Sequence, residues 1–263
     1  MLENPNDSRL VGELVEAAEA GDEKRVEKLL RRGINPNNCD KYKRTALTEA
    51  ILKGRPQVVQ ILLKEGADPN LAIGSNGWPP IWWAAWEGLD VTPMLEQQAA
   101  RLGFALARPD LHWREILLML LAGGADPNWQ VEKDGDSKGW TPLMRAVLDE
   151  SCAVAKELLK AGANPDIRNA DGHSALLQAT NKGNAELIYL LLSNGANPNL
   201  QGNDGWTPLM VAAAIGNSVI VQLLLKHNAD VSARNDQGKT AKDIVQNAGD
   251  EKIALQLFVA GSP

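Results

Sequence analysis

The sequence has little of what marks several common protein classes. It contains only two cysteines, two phenylalanines and two tyrosines among 263 residues. Cys39 and Cys152 lie far apart and lack C-x-x-C spacing, which argues against a disulfide framework or a zinc site. Because unpaired cysteine usually packs as a small apolar side chain, both are expected to be buried.

Long apolar runs are also lacking. No stretch approaches the ~18 consecutive apolar residues of a membrane-spanning helix. The segment from Met1 to Asp7 is acidic and has no apolar core typical of a signal peptide. The sequence therefore predicts no membrane insertion and a cytoplasmic location. The net charge of −6, with both signs interspersed, argues against a nucleic-acid partner.

The residues needed for catalysis or metal binding do not cluster in the sequence. His112, His173 and His227 occupy unrelated positions and lack the spacing of a metal pair or a nucleophile partner. The segment 134–139 resembles a calcium loop, but Lys138 takes a ligand position and Arg145 stands where a bidentate glutamate is needed. A solvated turn is favoured there, and the sequence predicts no cofactor, no metal and no enzymatic activity.

What the sequence does contain is one short loop, repeated. Its copies begin at Gly33, Gly66, Gly124, Gly162, Gly195 and Asn228. Three of the intervals are 33 residues, while the interval from 66 to 124 is 58 and that from 124 to 162 is 38. Two repeats therefore carry insertions of 25 and 5 residues, since 58 − 33 = 25 and 38 − 33 = 5.

The stretch from Thr207 to Asp230 shows one complete repeat. Thr207 is suited to cap a helix, Pro208 suits the first helical position, and Gly216 suits the helix end. A second helix follows from Asn217 to Lys226. Each repeat is therefore predicted to be a turn, a helix, a turn and a second helix.

The opening of the first helix recurs at a constant offset from these loops, as Thr45-Ala46-Leu47, Thr141-Pro142-Leu143, Ser174-Ala175-Leu176 and Thr207-Pro208-Leu209. With its 33-residue period and Thr-Pro-Leu signature, the chain resembles the ankyrin repeat family over nearly its whole length. The signature histidine is replaced, and its hydrogen bonds are expected to give way to packing. The replacing residues are Thr48, Trp82, Met144, Leu177 and Met210.

The resemblance implies an all-α ankyrin-repeat solenoid of seven units with caps at both ends, forming a single domain over residues 1–263. The unit boundaries are about 8–40, 41–73, 74–130, 131–169, 170–202, 203–235 and 236–261. The third unit carries an insertion over 89–110, in which Leu95, Ala99, Leu102 and Leu106 fall on one helical face. An extra amphipathic helix is predicted there.

Ankyrin-like proteins typically bind other proteins through a concave surface, formed by the first helices and the hairpin residue before Thr-Pro. Five of the eight tryptophans fall on the corresponding positions, and tryptophan with arginine is enriched at binding hot spots. The predicted partner-binding residues are Trp78, Trp83, Trp86, Glu87, Trp140, Arg145, Leu148, Asp149, Trp206 and Val211. The alternative for Trp83 and Trp86 is that the inserted helix folds over and buries them.

The sequence thus predicts a non-catalytic protein–protein interaction module that is monomeric on its own and acts as an adaptor or as a regulator or inhibitor. The alternative is an enzyme or small-ligand-binding protein with a site between the inserted helix and the groove. Because the residues lack a nucleophile–base pair, the binding module is favoured.

Overall fold

The structure is a computed structural model that describes residues 7–72, 77–85, 113–132, 138–248 and 251–260. Fourteen helices occupy these ranges and form seven consecutive helix pairs. Their bounds are α1 Ser8–Ala20, α2 Glu23–Arg31, α3 Ala46–Leu52, α4 Pro56–Lys64, α5 Pro80–Ala85, α6 Trp113–Ala122, α7 Pro142–Leu148, α8 Cys152–Lys160, α9 Ala175–Lys182, α10 Ala185–Ser193, α11 Pro208–Ala214, α12 Ser218–Lys226, α13 Ala241–Ala248 and α14 Glu251–Ala260. The all-α repeat architecture predicted from the sequence is confirmed.

The chain divides into two compact units, residues 1–134 and 135–263. In unit 1, α1, α3 and α5 pack successively as one layer and α2, α4 and α6 as a second. In unit 2, α7, α9, α11 and α13 form the first layer, and α8, α10, α12 and α14 the second. The core of each unit therefore lies between two helix layers. The single domain over 1–263 stays a prediction.

Most helices begin where the sequence predicts, because short polar side chains cap them. The hydroxyls of Thr45, Thr141, Ser174 and Thr207 each accept from the backbone N–H three residues later, at 3.2–3.3 Å. Asp22, Ser151, Asn184 and Asn217 cap second helices in the same way. Each bond satisfies a helix N–H that has no partner within the helix.

Buried apolar side chains fill the position of the missing signature histidine, as predicted. Trp82, Met144, Leu177 and Met210 are all buried there. Thr48 is also buried, but its hydroxyl lies 3.0 Å from the Thr45 hydroxyl, so one side-chain hydrogen bond remains at this position.

The prediction for the two cysteines was wrong. Cys39 is exposed and Cys152 is only partly buried. Cys39 lies in the loop after the first closing turn, and Cys152 is the first residue of α8, so neither occupies an inward-facing position in mid-helix.

Consecutive closing loops are joined by asparagine side chains. Asn37 donates from Nδ2 to the Gly66 carbonyl at 3.0 Å and accepts from the Asp68 N–H at 2.7 Å. Asn70 makes the same two bonds to Gly124 and Asp126. Each asparagine therefore ties one repeat to the next. The recurring polar residues of these loops thus make hydrogen bonds that hold the repeats together.

The predicted inserted helix over 89–110 and the segment 133–137 lie outside the described residues. Trp86, Glu87 and most of the calcium-like loop also lie outside them.

Candidate functional site

The predicted site residues of unit 1 lie in a tryptophan cluster. Trp78 and Trp83 pack edge to face with ring centroids 4.9 Å apart, and Trp82 lies 6.0 Å from Trp78. Only 6% of Trp78 and 7% of Trp83 are exposed to solvent. Aromatic pairs at these distances stabilise the fold beyond the area they bury. In this structure, therefore, neither indole has open surface to offer, and their role in partner binding stays a prediction.

Unit 1 also contains a network of charged side chains. Arg44 binds the Asp40 carboxylate through both Nε and a terminal nitrogen, at 2.9 and 2.8 Å. Lys53 pairs with Glu19 at 3.1 Å, and Arg44 lies 3.6 Å from the same carboxylate. The two cations thus engage Asp40 and Glu19.

A third carboxylate of this network, Glu49, is 2% exposed. Its Oε1 atom is buried and has no hydrogen-bond partner among the described residues. Burial raises the pKa of Glu49 above its ordinary value, although the nearby Arg44 opposes the shift. Helical spacing alone places Glu49 on the face that lines an open groove. The flanking cations Arg44 and Lys53 are the only sequence signal that a buried carboxyl group lies there.

Unit 2 places its predicted tryptophans differently. Trp140 and Trp206 stand at hairpin bases two repeats apart, immediately before the capping threonines of α7 and α11. Both indoles are only partly buried. The Trp140 N–H is shielded from solvent and has no acceptor within the described ranges. Both rings therefore keep surface that a partner protein can contact.

The helix that follows Trp140, α7, carries an ion pair with the residue that ends it. Arg145 Nε donates to Asp149 Oδ2 at 2.9 Å, and a terminal nitrogen of Arg145 donates to the other carboxylate oxygen. The side chains are 13% and 10% exposed. A two-point contact of this kind holds both groups in one orientation. Leu148, on the same helix, is half-buried.

Exposed residues at the ends of the first helices extend this surface over the next two repeats, and those of the second are apolar. Asn181 and Lys182 are exposed at the end of α9, and Ala214 and Ile215 are exposed at the end of α11. Val211 lies beneath them and is buried. We call Trp140, Arg145, Leu148, Asp149, Trp206 and Ile215 the unit 2 surface.

Of the predicted site residues, the structure places Trp140, Arg145, Leu148 and Asp149 in one repeat of unit 2 and Trp206 two repeats later, and all five keep some exposed surface. Trp78, Trp83 and Val211 are buried, and Trp86 and Glu87 lie outside the described residues. Within those residues, no three histidine, cysteine or acidic side chains form a possible metal site. In the same ranges, no helix combines the length and apolar character needed to cross a bilayer.

A model of ankyrin repeats in three copies matches residues 14–102, 111–202 and 176–261. These ranges include most of the chain, and the helix pairs, capping residues and closing loops agree with the match. The protein belongs to the ankyrin repeat family.

Three curated relatives share part of the sequence. The glycerophosphocholine phosphodiesterase gde1 of Schizosaccharomyces pombe is 32% identical over 51% of this chain and 9% of the relative. The human mitochondrial disaggregase is 33% identical over 62% of this chain and 24% of the relative. Human cyclin-dependent kinase 4 inhibitor B is 36% identical over 34% of this chain and 64% of the relative. The chain thus spans less than two thirds of each.

Solved ankyrin repeat domains match almost the whole chain in structure. The domain of Bcl-3 superposes with a TM-score of 0.72 at 24% identity, covering 94% of this chain and 97% of that one. The domain of human ASB11 superposes with a TM-score of 0.64 at 25% identity, covering 95% and 98%. These similarities bear on the fold.

Proposed function

We propose that this chain is a non-catalytic protein-binding module and that the unit 2 surface contacts the partner. Ankyrin repeats generally mediate protein–protein interaction, and one of the relatives is human cyclin-dependent kinase 4 inhibitor B. The cytoplasmic location predicted from the sequence is part of this proposal.

One observation carries the choice of surface. Trp140 and Trp206 remain partly exposed at hairpin bases, whereas Trp78 and Trp83 are buried. An aromatic side chain held by its backbone loses little conformational entropy when a partner covers it. Such residues are common binding hot spots, so Trp140 and Trp206 are the strongest anchor candidates.

The polar side chains of the surface supply orientation. The Arg145–Asp149 pair is neutral as a whole but holds a fixed dipole on the helix that follows Trp140. Charged groups held in this way favour one docking orientation more than they add affinity. At the other end, Ile215 is 47% exposed and offers an apolar contact. A partner that projects an apolar side chain towards Ile215 and a polar one towards Arg145 fits this arrangement.

The test is a comparison of purified full-length variants as capture reagents. Trp140→Ala combined with Trp206→Ala is expected to weaken capture of a recurrent, stoichiometric partner at least about tenfold, or ~1.4 kcal/mol. Tyr189→Ala is the control, because Tyr189 is 57% exposed on α10, in the other helix layer of the same unit. Its capture is expected to match the wild type.

Thermal melting separates binding from folding. The double variant is expected to melt close to the wild type, since both indoles are partly exposed. Much earlier melting, with normal binding by the folded fraction, would show that these tryptophans are hairpin packing and would refute the proposed surface.

A further inference from the structure

The last helix of unit 2 is apolar on two sides. Ile253 and Leu257 face the core and are buried. Leu255, Phe258 and Val259 are 64%, 60% and 65% exposed. These three residues stand at spacings of three and four, so they form one face of α14. We call them the α14 face.

This face differs from the outer surface of the first helix pair, whose exposed residues include Arg9, Glu16, Lys24 and Lys28. The α14 face instead places three large apolar side chains in solvent, where a contiguous apolar patch commonly marks an interface.

The apolar area extends onto the neighbouring helix. Gln256 Nε2 donates to the Ser218 carbonyl at 3.3 Å, which brings the start of α12 beside α14. Val219, the next residue of α12, is 63% exposed. With Val219, four large apolar side chains, each at least 60% exposed, stand on two adjacent helices. A pair of such patches is at the small end of the size range of specific protein interfaces.

Charges flank the α14 face on opposite ends. At the C-terminal end, the Lys242 ammonium lies 5.3 Å from the centroid of the Phe258 ring. At the N-terminal end, Glu251 is exposed and lies seven residues before Phe258, about two turns along the same side of the helix. Lys252 and Val259 are also seven residues apart, and they lie along the other side of the face.

From these observations we infer that the chain associates with a second copy of itself through an antiparallel two-fold packing of α14 on α14. A two-fold axis perpendicular to both helices reverses the direction of α14 but keeps each residue on the same side of the α14 face. Leu255 then meets Leu255 near the axis, and the Phe258 end of one copy lies against the Glu251 end of the other.

Charge complementarity favours a second copy of the chain as the partner of the α14 face. In the antiparallel pair, Lys242 of each copy comes beside Glu251 of the other, which gives two symmetric ion pairs. The centre of the face carries no charge, so no like charges oppose each other at the axis, where every residue meets its own copy. Given the small area, the association is expected to be weak and concentration-dependent.

This inference departs from the monomer predicted from the sequence, and it does not depend on the proposed unit 2 surface. The unit 2 surface belongs to the first helix layer, whereas α14 belongs to the second. Dimerisation therefore leaves the unit 2 surface available, and a dimer presents two binding surfaces to a multivalent partner.

The experiment is sedimentation equilibrium of the full chain over a wide concentration range. The average mass is expected to rise towards twice the monomer mass at high concentration. Phe258→Glu is expected to weaken this association at least about tenfold, whereas Tyr189→Glu, an exposed position on α10, is expected to leave it unchanged. A monomer at all concentrations, or equal effects of the two variants, would overturn the inference.

Charge reversal tests the antiparallel arrangement while keeping Leu255, Phe258 and Val259 in place. Lys242→Glu and Glu251→Lys are each expected to weaken self-association about fivefold, because each places like charges together twice per dimer. An equimolar mixture of the two variants restores opposite charges at both contacts and is expected to recover wild-type association. Failure of the mixture to do so, with both variants folded by circular dichroism, would refute the arrangement.

Discussion

The backbone N–H of Asn197 donates to the Oδ1 atom of Asp166 at 2.8 Å, across the junction of two closing loops. One repeat later, Asn199 accepts from the Asp230 N–H at the same distance and also donates from Nδ2 to the Asn228 carbonyl at 3.3 Å. A carboxylate cannot donate, so Asp166 makes only the first of these two bonds. This junction therefore lacks the hydrogen bond to the Gly195 carbonyl.

Asp166→Asn is expected to stabilise unit 2 by ~0.5–1 kcal/mol, because the new amide can donate to the Gly195 carbonyl. Urea denaturation monitored by circular dichroism measures the change. The reciprocal variant Asn199→Asp removes the equivalent bond and is expected to destabilise the unit by a similar amount. Denaturation midpoints that do not move in opposite directions would show that these bonds add nothing to stability.

Glu49 is expected to make unit 1 less stable as the pH rises. Burial raises its folded-state pKa above the ordinary value of 4.5, so the folded chain holds the proton more tightly than the unfolded chain. The stability that this group contributes is complete below the unfolded pKa and is lost as the pH rises through the folded pKa.

Glu49→Gln tests this expectation, because the amide stays neutral at every pH. Relative to this variant, the wild-type chain is expected to lose unfolding free energy between pH 4 and neutrality (on the order of 1 kcal/mol per pKa unit). The matched control is Glu19→Gln, which removes a partly exposed carboxylate that pairs with Lys53. Parallel pH profiles for the wild type and Glu49→Gln would contradict the prediction.

Gly139 is expected to tolerate no side chain. Its φ is 80°, and a Cβ atom there would lie 2.9 Å from the Asn169 Cα atom of the next hairpin. Gly139→Ala is therefore expected to cost at least ~2 kcal/mol, from left-handed backbone strain and a backbone clash together.

Gly183 provides the comparison, since its φ is 74° and a Cβ atom there would meet nothing within 4 Å among the described parts of the chain. Gly183→Ala is expected to cost only ~1 kcal/mol, from the backbone conformation alone. Amide hydrogen exchange at Ala170, whose N–H donates to the Lys138 carbonyl at 2.9 Å, reports the local effect of the Gly139 variant. Equal losses of unfolding free energy for the two variants would show that the contact with the next hairpin adds no cost, and would contradict the prediction.

Much of this fold is predictable because its determinants are local. The capping hydroxyl of Thr207 and the proline after it act within one turn of helix, and their recurrence identifies each repeat. The burial of Met144 and Met210 at the signature position also follows from repeat spacing. Such features depend on residues near in sequence, so pattern and period suffice to find them.

The candidate site is less predictable, because exposure depends on neighbouring repeats. Trp78 and Trp140 occupy equivalent hairpin positions after glycine, yet Trp78 packs against Trp82 and Trp83, while Trp140 stays partly exposed. Glu49 and Arg145 are likewise equivalent. Glu49 is buried near charges that include Glu19 of α1, whereas Arg145 pairs with Asp149, the residue that ends its own helix.

The sequence by itself determined the repeat, the helix pairs, their caps and the family, since each is encoded within about 33 residues of chain. Only the tertiary structure decided which tryptophans keep open surface, that a glutamate is buried in unit 1, and that α14 exposes a second apolar face. These properties arise from side chains of different repeats packing together. Periodicity places such residues on a common face but does not determine how much of each one its neighbours cover.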